Sequence, residues 1–374
     1  MYKMNVEALK GALKKLKGFV GETVTLVFME KEAKGEDARY LKITASNGTA
    51  QATVLAAYVG DNTEERKYIV SSSFMEAVET ISAFGEDVEL EELDGCLKLT
   101  CGDAVVPVGL LKDAVTLTMH KNSEKLQMKL KAEDFCDIVS HGGFATGDAT
   151  VPVPVFRGTV IFEPYEDKDK IYLRAMSCCG VFLATASAEV EVKQTDVFKK
   201  YIEENRRVAV NYASLLALSK RFVGDVVNIV ITEKQLIVMD SVDVYLFTII
   251  DGKVPKPIVD AVCGEAVRTF SYSLDKETLK KALTVIALTG DKYARLCFDK
   301  EVLVIEDSNH TSRASVPLTA IREENAEFKF DAGALKNIAS ALPSELIVYG
   351  AEGANGLHFE GKNCKALIAP ISEE

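Results

Sequence analysis

The chain has 374 residues, of which 48% are hydrophobic and 27% charged, and its formal net charge is −12 at pH 7. This composition is typical of an ordinary soluble protein and argues against a disordered or membrane-spanning one. The length predicts two or three domains. The first ten residues, MYKMNVEALK, are charged where a secretory signal would be apolar, so we expect a cytoplasmic location. An evenly spread acidic charge would also disfavour nucleic acid as a partner, because phosphate groups repel it.

Eight cysteines are scattered along the chain without a metal-binding or redox pattern. None belongs to a CxxC pair, and no histidine stands at ligand spacing from any of them. Adjacent Cys178 and Cys179 would point to opposite faces of a strand, which disfavours a disulfide between them. We therefore predict free thiols in a reducing compartment, with no metal and no cofactor.

The first segment predicts a short strand, Tyr2–Asn5, that leads into a helix over Val6–Lys17. One face of this helix is apolar at steps of three and four, which indicates burial; it carries Val6, Leu9, Leu13 and Leu16. A second face is basic and carries Lys10, Lys14 and Lys17. Glycines then end the helix, and alternating strands are predicted over residues 23–28, 41–45 and 51–57.

The same order of strand, helix and strands recurs along the chain, starting near residues 2, 68, 126, 208, 270 and 328. The later helices are predicted after residue 73 and over residues 132–140, 213–222, 275–288 and 331–342. The strands that follow them are predicted over 88–93, 96–101, 104–110, 155–164, 171–176, 181–192, 226–232, 235–239, 244–250, 294–298, 302–306, 312–318, 346–349 and 357–359. Gly142 and Gly143 are expected to break the third helix, and Asp331 is expected to cap the last one.

Pairs of these repeats predict an α+β chain of three domains, over residues 1–120, 121–262 and 263–374. A domain period above about 100 residues excludes small solenoids, whose units have about 20–50 residues. Strands and helices do not alternate as in doubly wound folds, which favours antiparallel sheets. The segment Val254–Ile258 contains two prolines, so we expect neither regular helix nor central strand there, and place a domain boundary just after it.

This organisation resembles the β sliding clamp family of bacterial DNA polymerase III over essentially the whole chain. The stretches that carry the resemblance are FSYSLDKETLKKAL (270–283), FKFDAGALKNIASALPSELIVYG (328–350), LIAPI (367–371), LRAMSCCGVFLA (173–184) and DGKVP (251–255). The resemblance implies three tandem clamp domains, each with two repeats, and two subunits joined head to tail in a ring. Helices would line the hole of this homodimer and antiparallel sheets would form its outer wall.

The resemblance also implies a function without catalysis: a processivity factor of DNA replication that encircles duplex DNA and tethers the replicative DNA polymerase. A clamp loader and other proteins with clamp-binding motifs would be its further partners. Lysines on the inner wall would contact phosphates weakly enough to allow sliding. The matching DNA-facing candidates are Lys10, Lys14, Lys17, Lys220, Arg221, Lys276, Lys280 and Lys336. Acidic charge on the outside would then discourage DNA binding elsewhere.

Two helices depart from this charge pattern. The second carries Glu76 and Glu79, and the third carries Glu133, Asp134 and Asp137. We therefore expect either that the hole is unevenly charged or that these two helices do not line it.

A second implied site is an apolar pocket between the second and third domains that receives short motifs of partner proteins. The matching residues are Phe156, Cys178, Gly180, Val181, Phe182, Leu183, Pro255, Val259, Leu367, Ile368, Ala369, Pro370 and Ile371. Family members usually carry His-Arg at positions 181–182 and Met-Pro-Met-Arg at 369–372, where this chain has Val-Phe and Ala-Pro-Ile-Ser. The pocket is thus expected to be less basic and to prefer different motifs. For the seam between subunits, the matching residues are Val106, Val108, Ala287 and Leu288.

Two other functions stay open on the sequence alone. A repetitive scaffold without a DNA role would predict no charge bias among the six helices, whereas four of them carry lysine or arginine beside the apolar stripe. An enzyme would need a nucleophile, a base and an orienting group. The combinations present are Cys101–Asp103, His141 beside Gly142–Gly143, and His310 near Asp307. None forms a recognised catalytic motif, so a non-enzymatic clamp is the preferred interpretation.

Overall fold

The structure is a computed structural model that describes residues 1–33, 36–59, 65–119, 125–148, 150–222, 224–241, 243–252, 254–263, 268–351 and 356–371. Its contacts divide the chain into two compact units. The first unit contains Met1–Ala132, Val192–Val197 and Ala213–Ile249, and the second contains Glu133–Glu191, Phe198–Tyr212 and Ile250–Glu374. The three-domain division at residues 120 and 262 stays a prediction.

The elements follow one another in the predicted order. Residues 1–131 form β1 (Tyr2–Asn5), α1 (Val6–Leu16), β2 (Thr23–Ala33), β3 (Glu36–Ser46), β4 (Ala50–Ala57), β5 (Arg66–Ser71), α2 (Ser73–Ile81), β6 (Asp87–Leu93), β7 (Cys96–Cys101), β8 (Ala104–Gly109) and β9 (Leu126–Lys131). Residues 132–263 form α3 (Ala132–Gly143), a 3-10 turn (Pro154–Phe156), β10 (Thr159–Asp167), β11 (Lys170–Cys178), β12 (Phe182–Glu189), β13 (Glu191–Val192), α4 (Thr195–Glu203), β14 (Val208–Asn211), α5 (Tyr212–Ser219), β15 (Val226–Ile231), β16 (Gln235–Asp240), β17 (Asp243–Thr248) and α6 (Lys256–Cys263).

Residues 268–371 form β18 (Phe270–Asp275), α7 (Lys276–Ala287), β19 (Tyr293–Asp299), β20 (Val302–Asp307), β21 (Arg313–Pro317), β22 (Thr319–Arg322), β23 (Ala326–Asp331), α8 (Ala332–Ala341), β24 (Glu345–Gly350), β25 (Leu357–Gly361) and β26 (Cys364–Ile368). The repeat predicted from sequence is confirmed, because β1, β5, β9, β14, β18 and β23 each lead directly into a helix.

Side chains at the strand–helix junctions explain several of these helix starts. The side chains of Asn5, Asp275 and Asp331 accept hydrogen bonds from the backbone amides of Ala8, Thr278 and Ala334, respectively. Each bond satisfies an amide that has no partner within the helix. The expected cap at Asp331 is therefore confirmed, with an Oδ1–N distance of 2.8 Å.

The first unit contains two antiparallel sheets. A four-stranded sheet has the order β1-β6-β7-β8, and a nine-stranded sheet has the order β13-β9-β15-β16-β17-β4-β3-β2-β5. In the larger sheet β17 pairs with β4, so strands from residues 1–57 and from residues 126–248 share one hydrogen-bonded layer. The core lies between sheet and helices: Val6, Leu9, Leu13 and Leu16 of α1 are all buried.

The second unit has the same composition of sheets. Its nine-stranded sheet has the order β14-β10-β11-β12-β26-β25-β24-β18-β22, and its four-stranded sheet has the order β21-β20-β19-β23. Here β12 pairs antiparallel with β26, which places Leu183 opposite Leu367. The antiparallel α+β fold is thus confirmed in both units. None of the helices in the described ranges is long and apolar enough to cross a membrane.

The prediction that Gly142 and Gly143 break the third helix was wrong, since α3 continues through both. A Cβ atom on Gly142 would lie 2.5 Å from the carbonyl oxygen of Ala175, and one on Gly143 would lie 2.2 Å from the Tyr212 ring. The Ser177 hydroxyl also donates to the Gly142 carbonyl at 2.7 Å. These glycines therefore let the end of α3 lie close to β11 and to the first residue of α5, at the cost of some helix propensity.

Two helices and a strand were not anticipated. The segment around Val254–Ile258 was expected to contain no helix, but α6 begins at Lys256 with Pro257 in its first turn. A proline is tolerated there because first-turn amides have no partner inside the helix. The short helix α4 was also missed. So was the edge strand β22, in which all four residues are exposed.

Candidate functional site

Helix α1 presents a basic face beside its buried one. Lys14 and Lys17 are exposed, and their ammonium groups have no hydrogen bond or ion pair within the described part of the chain. Both lie at the C-terminal end of α1, where a positive charge is favourable to the helix dipole. These two predicted DNA-facing residues are therefore free to contact a phosphate.

Lys10, in contrast, is already paired. Its Nζ lies 3.0 Å from Glu7 and 3.8 Å from Glu79 of α2, and its side chain is 15% exposed. The hydrogen bond that Lys10 donates to Glu7 is the main reason that the pKa of Lys10 is raised. A groove of about 690 Å³ runs between α1 and α2 and is lined by lysines of α1 together with Glu76 and Glu79. One acidic residue of the second helix therefore neutralises a lysine of the first.

Arg221 is held at the C-terminal end of α1. Its guanidinium donates to the backbone carbonyl of Lys15 at 3.3 Å and to that of Lys17. These carbonyls have no partner within the helix, so Arg221 acts as a cap. Burial lowers its pKa. An ion pair of 2.5 Å between Lys15 and the buried Asp243 of β17 holds the same helix end.

The cations on α7 and α8 divide in a similar way. Lys276 donates from Nζ to the carbonyl of Leu342 at 2.5 Å, and Leu342 is the C-cap of α8. Lys280 and Lys336 are half-buried, and their ammonium groups have no hydrogen bond or ion pair to any described residue. The same holds for Lys220, which is exposed after α5.

Helix α3 remains acidic on its solvent side. Glu133 and Asp137 are exposed and Asp134 is half-buried. Desolvation raises the pKa of the Asp137 carboxyl, and repulsion from Glu133 and Asp134 adds to this, while His141 opposes it. None of the predicted DNA-facing lysines and arginine lies on this helix. Whether α3 belongs to a DNA-binding surface stays untested.

The residues considered for an enzyme are buried or hydrogen-bonded to other parts of the fold. Cys101 is 1% exposed, and burial raises the pKa of its thiol, which disfavours the reactive thiolate. The Nδ1 atom of His141 lies 2.5 Å from the carbonyl oxygen of Ala341. His310 lies in a surface turn with its Nδ1 2.8 Å from Glu306. In the described part of the chain, no three His, Cys, Asp or Glu residues form a group that could hold a metal ion.

An apolar cluster in the second unit gathers part of the predicted pocket. We call it the apolar cluster: its buried members are Val151, Val155, Phe156, Ile161, Met176, Cys178, Ala209 and Val259. Half-buried Leu183, Val254, Ile258 and Cys263 pack against it. Four of the predicted pocket residues, Phe156, Cys178, Leu183 and Val259, therefore lie together. They come from the 3-10 turn, β11, β12 and α6.

The C-terminal segment runs beside this cluster. Leu367 lies opposite Leu183, and the Ala369 amide donates to the Val181 carbonyl at 3.1 Å. Val181 is 42% exposed, and Gly180 and Ala369 are exposed as well. Pro255, Pro370 and Ile371, which complete the predicted set here, are half-buried. Exposed apolar residues therefore border the cluster.

Phe182 and Ile368 project from the opposite face of the sheet. Side chains alternate along a strand, so the neighbours of Leu183 and Leu367 point away from the cluster. Phe182 stacks on Phe144 with ring centroids 5.7 Å apart, and Ile368 is fully buried. Their predicted place in the lining of the pocket is therefore not supported by their orientation.

The predicted seam residues lie at two separate places. Val108 is 4% exposed and Val106 is half-buried on β8, the edge strand of its sheet, whereas their neighbour Val105 is 52% exposed. At the end of α7, Ala287 is exposed and Leu288 is 83% exposed. The exposed Val105 was not among the predicted residues, because the alternation of AVVPVG fits either face of the strand. The seam itself stays a prediction.

The fold matches known structures over its whole length. A DNA polymerase sliding clamp from Pseudomonas aeruginosa covers 100% of both chains with a TM-score of 0.80 and 15% identity. A DNA polymerase III β subunit from Thermotoga maritima gives a TM-score of 0.80 at 11% identity, again over 100% of both chains. A DNA polymerase III β chain from Streptococcus pneumoniae gives 0.79 at 13% identity, over 100% of this chain and 99% of that one. The chain has the sliding-clamp fold.

Sequence comparison adds nothing to this structural similarity. No protein-family model and no curated protein matches the sequence. At 11–15% identity, few side chains of the sliding-clamp fold are kept, so the site residues must be argued from this chain's own contacts. Those contacts also reveal exposed residues that the sequence did not single out: Lys281 and Val285 on α7, and Val105 on β8.

Proposed function

We propose that the protein is a DNA sliding clamp: a homodimeric ring that encircles duplex DNA and tethers the replicative DNA polymerase, loaded by a clamp loader in the cytoplasm. The observation that carries the proposal is the full-length match to bacterial sliding clamps at a TM-score of 0.80. A ring needs no catalytic site, and none of the residue combinations considered for an enzyme is arranged as one.

DNA contact is assigned to the helix cations whose ammonium groups have no other partner. Lys14, Lys17, Lys220, Lys280 and Lys336 meet this condition within the described chain. Lysines bind phosphate without reading base sequence, and a topological link needs only weak contacts. The other three cations, Lys10, Arg221 and Lys276, mainly contact neighbouring helices. They would add to the positive electrostatic potential around DNA rather than bind phosphate directly.

Partner binding is assigned to the apolar cluster and the strip formed by Val181, Leu367 and Ala369–Ile371. Exposed apolar residues beside a strand end suit the docking of a short linear peptide. A sliding clamp of the same fold, from Caulobacter crescentus, has been solved with polyethylene glycol bound at a region for tethering β motifs.

Dimerisation is assigned to edge strands. The strands β8 and β21 each lie at the edge of a four-stranded sheet, where one side of the backbone has no strand partner. Pairing β8 of one subunit with β21 of the next, with exposed Val105 and Leu288 nearby, would close both edges. A three-domain division of each subunit fits the six repeats.

A primer-extension assay tests this proposal. The polymerase and clamp loader of the same organism are added to a primed circular template with and without this protein. We expect the protein to lengthen the products, and expect truncation after Ile368 to abolish this effect, because it removes Ala369–Ile371 from the strip while leaving β26 intact. Product length that does not change on adding the full chain would contradict the proposal.

A further inference from the structure

A second, polar pocket lies on one face of the nine-stranded sheet of the second unit. It has a volume of about 340 Å³, and its lining includes Tyr165, Tyr172, Arg174, Ser187, Cys263 and Lys365. Strand register explains why these side chains meet: Arg174 lies opposite Ser187, and Thr185, two residues before Ser187, lies opposite Lys365. Residues two apart on a strand share a face, so the pocket belongs to one face of β10, β11, β12 and β26.

The walls of this pocket hold its arginine in place. The guanidinium of Arg174 lies 4.0 Å from the centre of the Tyr165 ring, and that ring stacks on Tyr172 at 5.4 Å. A guanidinium on an aromatic face keeps its charge and stays oriented. The side chain of Arg174 is 17% exposed, so it reaches the pocket from a largely enclosed position.

The lining carries two cations, Arg174 and Lys365, and two acids, and the neighbours Arg207, Arg268 and Glu163 add one net positive charge. The single carboxylate of Glu163 forms ion pairs with both Arg174, at 3.0 Å, and Arg207, at 2.6 Å. The ammonium group of half-buried Lys365 has no hydrogen bond or ion pair within the described chain. Of the two acids in the lining, Glu360 is paired with Arg268 at 2.8 Å and Asp167 is exposed at the end of its hairpin.

The field of these cations converges on Cys263. Burial raises the pKa of its thiol, and the Glu163 carboxylate adds to this effect, while Arg174, Lys365 and Arg207 act in the opposite direction. Cations from separate positions in the chain therefore act at one point of the pocket wall. An anionic group at that point would find partners on several sides.

The polar pocket adjoins the apolar cluster. Cys263 lines the pocket and also packs against the cluster. Along β11, Arg174 of the pocket and Met176 of the cluster point to the same face, about 7 Å apart. A peptide seated on the cluster could therefore place a neighbouring side chain in the polar pocket.

We propose that the pocket around Arg174 and Lys365 binds a side-chain carboxylate of the partner peptide that docks on the apolar cluster. This inference rests on the proposed partner site and assigns it a preference: an acidic residue flanking an apolar core. A hydrogen bond to a charged group contributes about 1.5–3 kcal/mol, which corresponds to roughly a tenfold or larger gain in affinity.

Fluorescence anisotropy with two synthetic peptides tests this preference. Both carry a fluorescein label and a Leu-Leu-Phe core, flanked on both sides by two glutamates in one and by two glutamines in the other. We expect the full-length protein to bind the glutamate peptide about tenfold more tightly at low salt. The overall charge of −12 would favour the opposite order, so general electrostatics cannot produce this result.

Substitutions locate the effect. Lys365→Ala and the longer Lys365→Gln should each remove most of the preference for glutamate, whereas Lys362→Ala should keep it. Lys362 lies in the turn before β26, is exposed and does not line the pocket, so it controls for the removal of one positive charge. Equal affinity of the full-length protein for both peptides, or a preference that survives both Lys365 variants, would overturn the inference and leave the apolar docking site standing. Binding of neither peptide would overturn both.

Discussion

Single cations on the helices differ in what their side chains already contact. Arg221 and Lys276 donate to carbonyls at the ends of α1 and α8, and Lys10 pairs with two glutamates, whereas Lys14 and Lys17 have no such partner among the described residues. All of these positions look alike in sequence, because each is a basic residue beside an apolar stripe. Their separate roles depend on which helix end or carboxylate lies opposite, and this is decided by tertiary packing.

This difference predicts an unequal effect on DNA binding. The plot of log affinity against log salt has a negative slope. Lys14→Ala together with Lys17→Ala should make this slope less steep, by about 1 for each phosphate that the protein no longer neutralises. Lys10→Ala should change the slope much less, since Glu7 and Glu79 already neutralise that ammonium group. Anisotropy of labelled duplex DNA over a salt series measures both slopes. A larger change with Lys10→Ala than with the double variant would refute the assignment.

A half-buried histidine predicts how stability depends on pH. Burial, and then repulsion from Lys365 and Arg268, lowers the pKa of His358 to about 4, and its ring stacks on Tyr349. Its ordinary pKa is about 6.5, so between pH 6.5 and 4 the unfolded chain binds more protons than the folded one. The free energy of unfolding should therefore fall as pH falls through this window, by on the order of 1 kcal/mol after solvent screening.

His358→Phe is the matching variant, because it keeps an aromatic ring on Tyr349 without a titrating group. Urea unfolding at several pH values from 7 to 4 should give a shallower loss of stability for this variant than for the unchanged protein. Identical pH profiles would show that His358 contributes nothing to the loss.

At the scale of elements, hydrophobic period and capping residues predicted most of the fold. The six strand–helix junctions were found because each joins a short apolar strand to an apolar stripe at helical spacing. The prediction missed α6 because proline breaks a helix at most positions, whereas Pro257 lies in the first turn, where it is tolerated. The length of α3 was missed because Gly142 and Gly143 serve packing, and the sheet they pack against cannot be read from their local sequence.

The close approach at Gly142 predicts a sensitive position. Gly142→Ala should destabilise the protein by about 1–3 kcal/mol, because the new Cβ would meet the Ala175 carbonyl 2.5 Å away. Gly11→Ala in α1 is the control: nothing lies within 4 Å of its Cβ position, so the change should stabilise by about 0.5–1 kcal/mol. Urea unfolding of both variants measures whether the free energy of unfolding falls or rises in each. Destabilisation of equal size at both positions would contradict the packing explanation.

At the scale of the whole molecule, a net charge of −12 is compatible with a DNA-binding role only if the charge is unevenly placed. Lysines with no side-chain partner among the described residues lie on or directly after α1, α5, α7 and α8, while α3 is acidic. A sequence can indicate such stripes but cannot show which surfaces face DNA, because that depends on assembly. A ring would resolve the conflict, since a closed link retains DNA even when each contact is weak.

Retention on circular against linearised DNA therefore tests the central claim most directly. The protein is loaded onto a nicked circular plasmid by the clamp loader, separated from free protein by gel filtration, and the DNA is then cut once with a restriction enzyme. We predict that the protein stays with the circle and leaves the linear molecule by sliding off its ends. Equal retention on both forms would contradict the encircling mechanism.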